Sequence, residues 1–466
     1  MKAFRWAMVV VTLVGTFAAA AALPVRSSRL ARATGDEPHY LLTAMSIAED
    51  RSLDISDEHA ARRYLPFHER NLKPQGKALE DGRLLSPHEP MLPALLAVPV
   101  AVGGWVGARV ALAVLAGALA GLLLWTAVRR FDVPLGPAVV AVAVFAGSAP
   151  IAVYGSQIYP EMPAALALTA GLIVLTGPLG NWGLAGLASS VVLLAWLGTK
   201  FIPVAAVLAA IGLIRLVKAG MLRQSLALTA VLALAGIGYL GAHRAWYGGF
   251  TPYAVGAVNA PGGDLSVIGE NPGLLWGRSL RLIGLLVDRS FGLAAWQPAW
   301  LLVIPALAFI LRRRPVGWEV LFWTLLAGWL TAAFIALTMH GWWWPGRQLV
   351  VVLPAAVLII ARWAGTSRWA TRLTAVLGIM GSITYVWILA EGWRTKITFA
   401  VDFAETANPV YRLWSTLLPD YTAISGSTWV RHVLWVAAAG LLTAAGAGWM
   451  ATLRQRNGPV ATTSAR

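Results

Sequence analysis

The sequence predicts an all-α polytopic membrane protein of about twelve transmembrane helices, with a long first extracytoplasmic loop that carries surface helices. Three observations predict it. First, 58% of the 466 residues are hydrophobic and only 12% are charged, against about 25% charged in a soluble globular chain. The mean hydropathy is +0.67, so most of the surface faces something other than water. Second, apolar runs that approach the roughly 20 residues needed to cross a bilayer recur along the whole chain. Third, the loops between them alternate between basic and acidic-aromatic, as the positive-inside rule requires. The net charge of +16 lies in those short loops and not on one face, which excludes a nucleic-acid-binding surface. There is no cysteine, so disulfides and thiolate metal sites are excluded as well.

The first apolar run, Ala7 to Leu23, follows the basic start Met1-Lys2-Ala3-Phe4-Arg5. It reads as an anchoring span (residues 1–24), with a cleaved signal peptide as the alternative because Ala18 to Ala22 are small. Residues 25–103 form the first outer loop. It holds about half of the acidic residues and four of the seven histidines. It ends in Met91–Gly103, apolar but too short to span, which reads as a re-entrant half-helix. Residues 104–453 supply the remaining bundle of about eleven helices. The spans begin at Trp105–Val128 and continue at Pro137–Tyr154, Met162–Leu175, Trp182–Leu197, Phe201–Ile214 and Ser225–Gly241. They resume at Leu293–Leu311, Val320–Leu337, Leu349–Ile360, Leu373–Leu389 and Val430–Leu453. Five basic loops, at Arg129/Arg130, Arg215/Lys218/Arg223, Arg312–Arg314, Arg362/Arg368/Arg372 and Arg454/Arg456, fall on the side of both termini. That side is the cytoplasm, and residues 454–466 form a polar tail.

The polar residues that suit chemistry gather on the opposite, outer side. Gly35-Asp36-Glu37-Pro38-His39-Tyr40 reads as a helix start, because proline suits the first helical turn and acids favour that end. Leu41, Leu42, Met45 and Ala48 then give the helix an apolar stripe suited to the membrane surface. Asp36 and Glu37 either cap this helix or act in a site. Ser86-Pro87-His88-Glu89-Pro90-Met91-Leu92-Pro93 enters the half-helix. Gln157-Ile158-Tyr159-Pro160-Glu161 places a carboxylate at the mouth of two spans, where an acid beside hydrocarbon is costly unless it has a use. Lys200 and Arg347 are outer cations against the general trend, as are Arg278, Arg281 and Arg289. Asp288 with Arg289 reads as a local pair. Several carboxylates and cations on one membrane face suit a lipid-phosphate substrate. A transporter or lipid flippase would place its charges nearer the midplane and often shows repeats, and neither is evident. A non-catalytic subunit of an envelope-glycan assembly complex is the third reading.

In this order of motifs the chain resembles the GT-C superfamily of integral membrane glycosyltransferases. The bacterial branch related to aminoarabinose transferase and the protein mannosyltransferases is the most similar. Gly35-Asp36-Glu37-Pro38-His39-Tyr40, Pro87-His88-Glu89-Pro90, Tyr159-Pro160-Glu161, Thr199-Lys200 and Trp344-Pro345-Gly346-Arg347 carry the resemblance. It implies a bacterial plasma-membrane enzyme with its site facing outside. The enzyme would move a sugar from a polyprenyl-phosphate donor to a glycan, lipid or protein hydroxyl, with inversion. Asp36 would be the general base, and Glu37 or Glu161 would orient hydroxyls. Lys200 and Arg347, with His88, would hold the donor phosphate. His39, Tyr40, Gln157, Tyr159, Asp288 and Arg289 are further site candidates. No cofactor is expected, and no metal. The chain departs from the family at His39 and at His88, where aminoarabinose transferases carry a phosphate-binding lysine.

Overall fold

The computed structural model describes residues 2–256 and 275–456. Among these residues helix dominates, and β-structure is confined to isolated bridges such as Asp54 with Leu85. The chain runs α1 (Lys2–Ala20), α2 (Glu37–Asp50), α3 (Ser56–Ala60), α4 (Met91–Arg129), α5 (Leu135–Ala146), α6 (Glu161–Leu175) and α7 (Asn181–Leu197). It continues with α8 (Thr199–Lys218, its first turn 3-10) and α9 (Leu222–Tyr247). The C-terminal half supplies α10 (Val303–Arg313), α11 (Trp318–Leu330), α12 (Leu353–Ala364), α13 (Arg368–Trp393) and α14 (Gly426–Arg456). Eight of the described helical segments are long and apolar enough to cross a bilayer. The expected dozen spans do not all appear as single helices of that kind. α5, α6 and α7 are apolar but shorter, and Leu293–Arg313 is broken into two α segments around a 3-10 turn. The protein is a multi-pass membrane protein.

α4 is interrupted where the stretch read as a half-helix ends. Its backbone leaves helical geometry at Gly103 and Gly104, with Gly104 at φ +58°, a conformation open to glycine at little cost. The remaining length of α4 packs along α1 through small residues. A Cβ at Gly117 would sit 1.9 Å from Thr16 Oγ1 and 2.8 Å from the Thr12 carbonyl. Glycine there lets the two backbones touch, the usual currency of helix association in a bilayer. Buried Arg109 of α4 reaches back to the carbonyls of Leu23 (3.0 Å), Val25 (3.4 Å) and Arg32, and so pins the start of the loop between α1 and α2 to the bundle.

α2 does not lie open on a membrane surface. Leu41, Leu42 and Ala44 are fully buried, and only its C-terminal turn, Glu49 and Asp50, is exposed. Of the apolar stripe expected to meet lipid, Leu41 and Leu42 face the protein's own core, and Met45 and Ala48 are half-buried. A later loop packs on the segment after α1: Phe399 and Ala400 donate backbone hydrogen bonds to the carbonyls of Arg26 (3.0 Å) and Ser27 (2.9 Å), and Arg29 pairs with Asp402 at 2.9 Å.

The basic loops meet at the opposite end of the bundle. Arg215 donates to the carbonyls of Leu175 and Gly177, where Arg130 also lies, and Arg362 stacks 5.4 Å from the Phe131 ring. The two classes of loop read from the sequence are therefore the two ends of the fold. Of the expected outer segment 244–290, residues 257–274 lie outside the described residues, as does the tail from residue 457.

Candidate active site

Four elements deliver charge to one point at the end of the bundle away from the basic loops. Asp36 sits at the N-cap of α2, yet its side chain makes no capping bond. A capping aspartate would accept from the helix's first amides. Here the carboxylate turns outward: Oδ2 accepts from Arg347 Nη2 at 2.7 Å, and Oδ1 accepts from Gln75 Nε2 at 3.3 Å. Glu161 opens α6 and is fully buried. Its Oε1 accepts from both Lys200 Nζ (2.5 Å) and Arg347 Nε (3.0 Å), while Oε2 has no protein partner. Lys200 enters from the 3-10 turn that follows Gly198, and Arg347 from the turn after Gly346. The Arg347 guanidinium is also clamped between aromatic faces, 4.0 Å from the Tyr159 ring centre and 5.0 Å from that of Trp343. Two carboxylates and two cations thus alternate in a chain, Asp36–Arg347–Glu161–Lys200.

The electrostatics follow from this pairing. Burial would raise the Asp36 pKa, but the Arg347 guanidinium, aided by His88, overrides it and holds the carboxyl far below the usual carboxylate range. His88 stacks on Tyr40 at 4.7 Å, donates from Nε2 to Gln75 Oε1 (2.7 Å), and stands 3.8 Å from Asp36. Burial lowers its pKa against the pull of Asp36, so it is a neutral ring near pH 7. His39, 1% exposed with Nδ1 unpartnered, is pushed down to about 3 by burial and then by His88. Each is a polar wall of the site and not a standing cation.

Other expected residues are placed elsewhere. Glu37 does not face the cluster. It is fully buried, with Oε2 accepting from Ser27 Oγ (2.8 Å) and the Thr34 amide (3.0 Å), and Oε1 from the Ile158 amide (3.0 Å). These bonds tie α2 to the loop before α6. Asp288 and Arg289 do not pair with each other. Asp288 caps the amides of Ser290, Phe291 and Tyr421, and Arg289 reaches Asp420 at 3.4 Å. Arg278 and Arg281 are buried on the carbonyls of residues 333–337. Gln157 is buried with both side-chain amide atoms unpartnered.

The structure adds residues that the sequence reading passed over. Gln75 joins Asp36 to His88 from within the long polar segment before α4, where nothing but its polarity marks it. Glu89 binds Thr199 Oγ1 (2.9 Å), Tyr239 Oη (2.5 Å) and His243 Nε2 (2.8 Å). That network fixes the turn bearing Lys200, and a histidine near the end of a span was its available signal. A groove of about 470 Å³ opens beside it, lined by Met91, Ala94, Trp196 and Trp246 with Arg51 and Arg83 at its margin. A hollow of about 300 Å³ lies beyond Trp342. Asp36 and Glu161 line neither.

The crystal structure of ArnT from Cupriavidus metallidurans bound to undecaprenyl phosphate superposes with a TM-score of 0.50, covering 95% of this chain and 78% of that one, at 14% identity. The protein has the GT-C fold. The same ArnT in its apo state gives a TM-score of 0.47, at 13% identity, over 96% and 78% of the two chains. No protein-family model matches the sequence, and no curated protein matches it.

Proposed function

We propose that the protein is a glycosyltransferase that moves a sugar from a polyprenyl-phosphate donor to an acceptor hydroxyl on the outer face of a bacterial plasma membrane. The observation that carries this reading is the Asp36–Arg347–Glu161–Lys200 chain: a helix-start carboxylate turned away from its helix and held by a cation that a phosphate can claim. The fold shared with a protein solved with undecaprenyl phosphate supports the choice of a lipid phosphate.

A sugar joined through its anomeric carbon to phosphate is activated, because phosphate leaves readily. Lys200 is 27% exposed and has bonding capacity beyond Glu161. The donor phosphate takes Lys200 and part of Arg347, and the prenyl chain follows the apolar groove past Met91 and Trp246. Charge building on the departing phosphate is then met by preorganised cations. Glu161 Oε2, buried and unpartnered, accepts a hydroxyl of the sugar. Asp36 receives the acceptor's proton as its oxygen attacks the anomeric carbon. In the resting pair with Arg347 that carboxylate is a weak base. When Arg347 turns to phosphate its hold on Asp36 is relieved, and the Asp36 pKa climbs toward the range useful for general-base catalysis. Donor binding thereby prepares the base. His88 positions Asp36 through Gln75, and Glu37 fixes the helix that carries it.

The test is transfer by purified, lipid-reconstituted protein from polyprenyl-phosphate sugars to acceptors of the source envelope, with the product's anomeric configuration read by NMR. The reading expects free polyprenyl phosphate and an inverted linkage. A retained configuration excludes the single displacement.

A further inference from the structure

Five acidic residues crowd the junction between α2 and α3, at positions 49, 50, 54, 57 and 58. Two are accounted for. Glu49 forms a two-pronged pair with Arg63, at 2.5 and 2.6 Å, and Asp54 Oδ1 accepts from the amides of Ser56 (3.1 Å) and Leu84 (2.8 Å). The other three, Asp50, Asp57 and Glu58, turn toward each other, each with an oxygen within 4.8 Å of the others'. Among the described residues none of them forms an ion pair. Glu58 decides the matter. Its side chain is fully buried, and neither carboxylate oxygen has a hydrogen-bond partner. A buried carboxylate without donors, facing two further carboxylates, is among the costliest arrangements a fold can hold, unless a positive charge belongs there.

We propose that Asp50, Asp57 and Glu58 bind a divalent cation, Ca²⁺ in preference to Mg²⁺. Oxygen-only, carboxylate-rich ligands suit hard cations. Three carboxylates on a helix end and a short turn, free to bind through one or two oxygens, suit the larger and more adaptable coordination of calcium. The cation joins the last residue of α2 to the first turn of α3. α2 has 14 residues, so the cation lies about 20 Å from Asp36 at the other end of the helix. It takes no part in the chemistry and acts as an anchor for the helix that presents Asp36.

The rival account is a proton. Burial, with Asp57 next, pushes the Glu58 pKa up to about 8, so an unmetallated Glu58 would be neutral near pH 7. The two accounts separate in one experiment. The full chain in detergent is stripped with EDTA and titrated with CaCl₂ or MgCl₂, following heat by calorimetry and the thermal unfolding midpoint. Glu58→Gln and Asp57→Asn, the latter at an exposed side chain, are treated alike. Wild type is expected to bind one Ca²⁺ with a dissociation constant of about 10⁻⁴ to 10⁻³ M, as extracellular modules do, and to gain stability saturably, with Mg²⁺ at least tenfold weaker. Both variants are expected to lose at least tenfold in Ca²⁺ affinity. In EDTA, Glu58→Gln is expected to be about as stable as wild type, because a neutral amide then stands in place of a neutral acid. No saturable Ca²⁺ binding by wild type, or an unchanged response in both variants, overturns the site. Mg²⁺ binding as tightly as Ca²⁺ overturns the stated preference.

Discussion

Replacing Asp36 by asparagine separates the catalytic account of this residue from a structural one. The substitution keeps the shape of the side chain and its oxygen toward Gln75 Nε2 (3.3 Å). It removes the charge that faces Arg347 at 2.7 Å, but Arg347 retains Glu161 at 3.0 Å. The loss of one charge-assisted bond therefore costs at most about 3 kcal/mol of stability, with less expected because Arg347 is not left unpaired. Removing a negative charge beside Lys200 and Arg347 should leave the affinity for polyprenyl phosphate equal or higher. Transfer should nevertheless fall by about 10²–10⁴-fold, the usual contribution of a general base, equivalent to about 3–5 kcal/mol of barrier. The assay is single-turnover transfer in reconstituted vesicles, with donor affinity and unfolding midpoint measured on the same preparations. Transfer within a few-fold of wild type would refute the assignment of the base. A parallel fall in donor affinity would show that Asp36 organises the phosphate site instead.

Three further outcomes follow from the structure. His39 is neutral when folded, with a pKa of about 3 against 6.5 for the free side chain. The unfolded chain therefore binds the extra proton, and stability that is full above pH 6.5 is lost below it, by about 2 kcal/mol between pH 6.5 and 5. Thermal midpoints across that range should fall more shallowly in His39→Gln, and an unchanged slope contradicts the assignment. Gly117→Ala places a methyl group against the Thr12 carbonyl and Thr16 Oγ1 and should cost about 1–3 kcal/mol, as overpacking does. Thr16→Ala in the same chain should recover part of the loss, read from unfolding midpoints. Because the chain has no cysteine, Arg70→Cys and Ala219→Cys can each be probed with an impermeant thiol reagent in intact cells. Both positions are exposed. Label is expected at residue 70 and not at residue 219, and the reverse pattern inverts the orientation.

Much of this architecture is legible in the sequence because the bilayer leaves few options: long apolar runs must become helices, and arginines between them must collect at one end. Asp36 stands out in the sequence as an acid at a helix start, and Glu161, Lys200 and Arg347 as charges beside the ends of apolar spans, where charge is expensive. What one-dimensional reading could not deliver was direction. Asp36 and Glu37 are neighbours, yet the chain turns one outward to Arg347 and the other inward to Ser27 and the Ile158 amide. The stripe of α2 reads equally well as a face for lipid or for protein, and only tertiary packing chooses between them. Gln75 and the Glu89–Tyr239–His243 network depend on contacts across 39 to 154 residues of chain, and no local pattern announces them.

The central claim, that a polyprenyl phosphate is held at Lys200 and Arg347, is most directly tested by native mass spectrometry of the purified protein. Wild type should retain polyprenyl phosphate or its sugar conjugate, or bind added undecaprenyl phosphate at one copy per chain. Lys200→Ala should weaken that binding by about 1.5–3 kcal/mol, the worth of a hydrogen bond to a charged group, or roughly 10- to 150-fold. Equal retention by wild type and Lys200→Ala, or no polyprenyl phosphate on either, would contradict the account.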